Sequence, residues 1–300
     1  HERRFPMPLR RCPDILLSSL LLLLLASCAG REVTPSPVEP PRKAVTVALV
    51  LGAGAAKGFA HVGVLKVLEA NHVPVHMVVG TSVGSFVGSL YAYGYPAYDL
   101  QKIAMGLETG EIADLTVPDN GFVKGEKLEA YVNRMVRGAT MEKLRIPFYA
   151  VATDIGSGEE MVFGKGNTGS AVRASCSIPG IFRPVQIGDR TYVDGGVVSP
   201  VAVDAARRLG ADVVIAVDIT GGVSGSVPDT TLDTIFQSVN VMYAKIAAAE
   251  LSRADVVIRP MVGYIASGDF TKRHEAILEG EKAAQDALPK IRGLLGEPER

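Results

Sequence analysis

The chain has 300 residues, 47% of them hydrophobic, with a formal net charge of −1 and no Trp. Without a basic block or interleaved aromatics it has nothing suited to holding a polyanion, which argues against nucleic acid as a partner. The length suffices for one domain of roughly 250 residues, and 32 glycines suit an α/β protein with many tight turns better than a helical bundle.

The N-terminus reads as a targeting segment. Arg10 and Arg11 precede an apolar stretch from Ile15 to Ala26 that includes six consecutive leucines, Leu20 to Leu25. This is too short to span a bilayer and right for a signal-peptide core; Met7 reads as a start residue ahead of it. The stretch ends in Leu25-Ala26-Ser27-Cys28, which resembles the lipobox of bacterial lipoproteins. The resemblance implies a signal peptide over 1–27, a lipidated Cys28, and a cell-envelope protein, most simply on the outer membrane facing the periplasm. Of the other cysteines, Cys12 leaves with the signal and Cys176 stands alone, so no disulfide framework is expected. No Cys/His spacing marks a metal site, and no cofactor is implied. Residues 28–43 hold Cys28 and a Pro-rich tether, 29–43, which carries Pro35, Pro37, Pro40 and Pro41 and is semi-extended, roughly 45 Å long at about 3.1 Å per residue.

The folded domain is expected over 44–300. Val45 to Leu51 is a buried-strand run, followed by the small-residue loop Gly52-Ala53-Gly54-Ala55-Ala56-Lys57-Gly58 and an apolar helix from Phe59 to Asn71. Met77 to Val79 is the next strand. Gly80-Thr81-Ser82-Val83-Gly84 then turns sharply into a helix over 83–93. Lys124 to Val136 has an amphipathic period. Phe148 to Thr153, Met161 to Phe163 and Thr191 to Val193 read as strands, the last running into Asp194-Gly195-Gly196. Pro200 opens a helix to Arg208, Val213 to Val217 is a strand, and a helix over 231–252, a strand over 256–259 and a helix over 273–295 complete the chain. Strands alternating with helices imply a mostly parallel central sheet in a three-layer α/β/α fold.

Three features fall at strand ends, where open α/β sheets place their sites. Ser82, between Gly80 and Gly84, is a hydroxyl pushed out of a tight turn. The loop from Gly52 offers backbone N–H groups at a helix start, a setting that favours developing negative charge. Asp194, freed by Gly195 and Gly196 to face the serine, supplies a carboxylate that burial would make basic enough to take the serine proton. Nucleophile, base and oxyanion donors are the needs of acyl transfer. The glycines at 52, 54 and 58 miss the G-x-G-x-x-G spacing, so nucleotide binding is not expected.

Five motifs in order carry a resemblance to the bacterial patatin-like phospholipases. They are the glycine-rich loop with basic Lys57, Gly58-Phe59-Ala60-His61-Val62-Gly63-Val64-Leu65, the Gly80–Gly84 turn, Ala174-Ser175-Cys176-Ser177-Ile178-Pro179-Gly180-Ile181-Phe182-Arg183-Pro184, and Asp194-Gly195-Gly196. The resemblance implies hydrolysis of lipid carboxylic esters, phospholipid or lysophospholipid, by a Ser82–Asp194 dyad, with Gly52, Ala53, Gly54 and Ala55 in the oxyanion loop and neither metal nor catalytic histidine. The chain departs in having Gly52-Ala53-Gly54 where many members have three glycines. An alanine forced to positive φ would strain the loop.

Two other readings stay open at this level. Ser82, Asp194 and His274 occur in the chain order of a Ser-Asp-His hydrolase triad. A lipid-binding envelope scaffold that turns over slowly is the second, with Ala53 as its support. Thr220–Asp229 and Val262–Phe270 are Gly-containing, unpatterned segments and candidate covers for a site. Nothing in the sequence sets an oligomeric state.

Overall fold

A computed structural model describes residues 45–116, 121–221 and 227–296. The signal, Cys28 and tether readings, and residues 222–226 of one candidate cover, lie outside the described residues.

The centre is β1 (Val47–Leu51), every residue of which is buried. It lies between β2 (Met77–Thr81) and β7 (Val213–Val217), parallel to both, with Ala48 opposite Met77 and Val214. A strand covered on both faces has no polar side to show, hence its unbroken apolar sequence. Outward lie β8 (Val256–Ile258), parallel to β7, and β3 (Phe148–Asp154), parallel to β2. Beyond β3 the sheet turns antiparallel through β4 (Glu160–Phe163), β6 (Arg190–Asp194) and β5 (Val185–Ile187), giving the order β5-β6-β3-β2-β1-β7-β8 with β4 also on β3.

Alternation along β1 sorts its side chains between two layers. Val47, Leu49 and Leu51 enter one core with α1 (Phe59–Ala70), α2 (Val83–Tyr93), α3 (Ala97–Gly106), α5 (Glu126–Met135) and α9 (Arg273–Leu295). The short α4 (Thr109–Ile112) lies between α3 and α5 in the chain. Ala48 and Val50 enter the other, with α7 (Val203–Arg208) and Ala247 and Leu251 of α8 (Thr231–Leu251). Ala205, Ala206 and Ala247 are the small side chains that those helices bring to this core. The three-layer α/β/α reading thus matches the structure.

The differences from the sequence expectation are local. Residues 97–112, with no assigned element, form α3 and α4. The motif at Ala174 begins inside α6 (Thr168–Ser175), whose N-cap Asn167 accepts the Ser170 N–H at 2.8 Å. The helix expected from Pro200 starts only at Val203, because 199–201 are captured by distant partners instead of by helical neighbours.

Candidate active site

Ser82 begins α2 at the end of β2. Its backbone lies in the left-handed region, φ 56° and ψ −127°, sparsely populated for a residue with a Cβ. The turn closes because its neighbours lack side chains: a Cβ on Gly84 would sit 2.0 Å from Leu51 O, and one on Gly80 2.5 Å from the Ser85 backbone. The Ser82 side chain makes no helix cap, so its hydroxyl remains free for chemistry, while Ser82 O accepts Ser85 N–H at 2.8 Å. Ser82 N–H is held by Ser175 Oγ at 2.9 Å, and that hydroxyl donates to Val151 O at 2.6 Å.

Asp194 closes β6 on the far side of β3. Thr81 pairs with Val151 and Ala152 with Asp194, so Thr81, the residue before Ser82, and Asp194 flank β3 on successive rungs. Ser177 O accepts Asp194 N–H at 2.8 Å. Ser175 and Ser177, at the end of α6, therefore tie both members of the pair to one segment. Asp194 is fully buried; its Oδ1 accepts Gly196 N–H at 2.7 Å. Oδ2 makes no hydrogen bond of good geometry, and the hydroxyls of Ser82 and Tyr243 lie near the carboxylate. Burial raises its pKa to about 6 against the lowering effect of Ser82, Gly196 and Tyr243. That value suits a base working near neutrality.

The oxyanion loop narrows in three dimensions. Gly52 N–H donates to Val217 O at 3.1 Å and Ala53 N–H to Pro200 O at 2.8 Å, so both are committed to holding the loop. Among the described residues, the N–H groups of Gly54, Ala55 and, at the start of α2, Val83 have no acceptor. Ala53 stays out of the positive-φ region; Ala55 enters it instead, at φ 51°. Lys57 is buried, donates to Thr220 O at 3.0 Å, and lies outside the cavity lining. Burial lowers its pKa and Asp218 partly offsets this, so Lys57 anchors the loop to the end of β7. His61 is likewise structural. Its Nε2 donates to Gly52 O at 2.8 Å, and burial drives its pKa down to about 4, keeping it neutral.

An apolar cavity of about 240 Å³ opens beside Ser82. Val62, Val83, Phe86, Leu90, Leu100, Ile103 and Leu107 line it, with Ala55 near the serine and Ser267, Gly268 and Phe270 from the second candidate cover. Cys176 also lines it, 3.8 Å from Ser85 Oγ, but burial pushes its thiol pKa well up, so it is no nucleophile. His274 is exposed near the start of α9 and takes no part in the interactions of Asp194. The triad reading is corrected on that ground.

Sequence reading missed two residues of α8. The Tyr243 ring packs on Gly196, where a Cβ would lie 2.3 Å from it, and its hydroxyl is buried beside Asp194 without another partner. Glu250, two helical turns on, is bonded to Ser199 and Val201. The signal was their shared position on the buried stripe Val239, Tyr243, Ala247, Glu250; no motif marks either residue.

Known proteins resemble this chain in sequence and in fold. The family described as "Patatin-like phospholipase" matches residues 49–207. The "Patatin-like phospholipase domain-containing protein 6" of Homo sapiens is 36% identical over 203 residues, covering 65% of this chain and 14% of that protein. An uncharacterized NTE family protein of Mycobacterium bovis is 32% identical over 205 residues, 67% of this chain and 57% of its own length. A lysophospholipase of Aspergillus fumigatus is 36% identical over 191 residues, 62% of this chain and 12% of its own. The chain thus spans a minor part of the long eukaryotic relatives. Among solved structures, VipD from Legionella pneumophila superposes with a TM-score of 0.57 at 13% identity, covering 82% of this chain and 67% of that one, a likeness of fold alone. A tight turn that sets Ser82 on the cavity wall, a buried Asp194 and the family match over 49–207 converge: the chain belongs to the patatin-like phospholipase family.

Proposed function

We propose that this protein is a serine acyl hydrolase that cleaves carboxylic esters of lipids, with Ser82 as nucleophile and Asp194 as its base. The observation that carries the reading is the placement of a strained, uncapped serine on the wall of an apolar cavity, backed by a buried carboxylate. An acyl chain lies in the cavity. Ser82 Oγ attacks the ester carbonyl carbon and its proton passes to Asp194. The carbonyl oxygen, now negative, takes hydrogen bonds from the N–H groups of Gly54, Ala55 and Val83. Collapse of the tetrahedral adduct breaks the ester C–O bond, and Asp194 returns the proton to the departing alcohol. Water then loses a proton to Asp194 and attacks the acyl-serine; as the acyl C–Oγ bond breaks, Asp194 returns that proton to Ser82 Oγ, releasing fatty acid and restoring both residues.

The scaffold reading loses its support, since Ala53 needs no positive φ. Lysophospholipid is the first substrate to try, given the named activity of the fungal relative. The test is fatty-acid release from lysophosphatidylcholine and phosphatidylcholine by the purified domain. Release by the wild type but not by Ser82→Ala is the expected outcome; release by both, or by neither, defeats the reading. Lipidation at Cys28 and residence in the cell envelope belong to the same proposal, supported by the leucine run and Leu25–Cys28. They are checked by palmitate labelling that disappears in Cys28→Ala. No helix among the described residues is long and apolar enough to cross a membrane.

A further inference from the structure

Residues 199–201, between the Asp194 turn and α7, tie the parts of the site together. Ser199 O accepts the Thr81 hydroxyl at 3.0 Å, one residue before the nucleophile. Pro200 O accepts Ala53 N–H at 2.8 Å, in the oxyanion loop. Ser199 N–H returns to Gly195 O at 2.8 Å, next to the base. Two donors of the segment remain, and both go to one side chain of α8. Ser199 Oγ donates to Glu250 Oε1 at 2.5 Å, and Val201 N–H donates to Glu250 Oε2 at 2.9 Å. Glu250, Ser199 and Val201 are all buried, and Glu250 lies outside the cavity lining.

Removing a carboxylate from water costs several kcal/mol, and an apolar residue would fill the same space at less cost. Burial raises the pKa of Glu250 to about 7 even with both donors in place. A costly group that contacts nothing in the cavity and pins the one segment shared by the nucleophile strand, the oxyanion loop and the base is poorly accounted for by packing alone.

We propose that Glu250 is a positioning residue for catalysis: by clamping residues 199–201 it sets the register in which Ser82, Asp194 and the free N–H groups of Gly54 and Ala55 meet at one carbonyl. The inference rests on the hydrolase reading above. Its effect falls on the rate of the bound complex, because misplacing preorganised groups by about 1 Å costs on the order of 100-fold while the apolar walls that bind the acyl chain are untouched.

The experiment compares the wild type with Glu250→Ala, Glu250→Gln and Ser199→Ala in the full chain, using a p-nitrophenyl ester of a medium-chain fatty acid. Rates are expressed per folded molecule, with the folded fraction measured by circular dichroism, and Ser82 is titrated separately with a fluorophosphonate. Glutamine keeps an acceptor for Val201 N–H and offers a donor to Ser199 Oγ. Glu250→Ala is expected to lower kcat by roughly 30- to 100-fold with KM within about threefold of wild type. Glu250→Gln should recover to within about fivefold, and Ser199→Ala, which keeps the Val201 bond, should lose about three- to tenfold. A folded Glu250→Ala with wild-type kcat, a change confined to KM, or a glutamine variant no better than alanine overturns the proposal. If Glu250→Ala does not fold, Ser199→Ala decides: unchanged kcat overturns the clamp, and the stated loss with unchanged KM supports it. A wild type that neither hydrolyses the ester nor reacts with the fluorophosphonate overturns the hydrolase reading instead, which separates the two failures.

Discussion

Ser82 and Asp194, the proposed nucleophile and base, are held by opposite means. Ser82 is held by its backbone: a left-handed φ, and two glycines whose absent side chains let α2 abut β1 at Gly84 and β2 at Gly80. Asp194 keeps a negative φ, −48° with ψ 134°, and is held by its surroundings, with Gly196 N–H on one oxygen and Ser82 and Tyr243 near the carboxylate. The nucleophile is therefore a product of local conformation, and the base a product of burial. Conformation sets where a hydroxyl points; burial sets how strongly a carboxylate attracts a proton.

The contrast breaks most sharply at the base. Asp194→Asn should reduce kcat by at least about 1000-fold. It should also stabilise the protein at pH 8, by on the order of 2 kcal/mol, or roughly 5 °C in Tm. The sign follows from linkage. Asp194 has a folded pKa of about 6, above its unfolded value near 3.9, so between these values the folded state holds a proton that the unfolded state has released. Stability from this group is full below about pH 4 and is lost as pH rises through about 6. Thermal melts across pH 4–8 check this, and a wild-type curve that does not fall relative to Asp194→Asn contradicts the burial account.

At the nucleophile the sensitive atoms are those of the backbone. Gly84→Ala places a Cβ against the carbonyl of Leu51, which has no free end to swing away. It should cost about 3 kcal/mol of stability and most of the activity. Denaturant melts measure the first and ester turnover the second.

A smaller effect sharpens the picture of the base. Tyr243 lowers the pKa of Asp194, so Tyr243→Phe should move the acid limb of the kcat/KM profile to higher pH. Activity near pH 6 should fall about two- to fivefold, with little change at pH 8, where the carboxylate is ionised in both proteins. An unmoved acid limb would mean that the phenol does not act on the carboxylate. The smallest effect belongs to His274→Ala, which should stay within about twofold of wild type at every pH, because that side chain lies exposed outside the site. A large loss there would restore a histidine mechanism.

Much of this was legible in order along the chain. The buried strands appear as β-branched runs, the Ser82 turn as a glycine pair around a serine, and Asp194 as the residue before two glycines. What escaped is long-range. Glu250 meets Ser199 across 51 positions and Val201 across 49, and no periodicity of α8 announces either partner. The same capture explains why Pro200, a good helix opener by local rules, does not open α7: its carbonyl is taken by Ala53 and the next N–H by Glu250. The split within the Gly52–Ala55 loop, two N–H groups tied down and two free, depends on Val217 and Pro200 reaching it from the rest of the chain.

Sequence alone determined the fold class, the nucleophile turn and the candidate base, because each rests on a local rule: side-chain period along a strand, and the need for glycine where backbones nearly touch. Only the tertiary structure decided which loop amides are free, that His274 stands apart, that the Asp194 carboxylate titrates near 6, and that α8 braces the site. Those are properties of burial and of hydrogen bonds closed between distant residues, and they do not exist until the chain has packed.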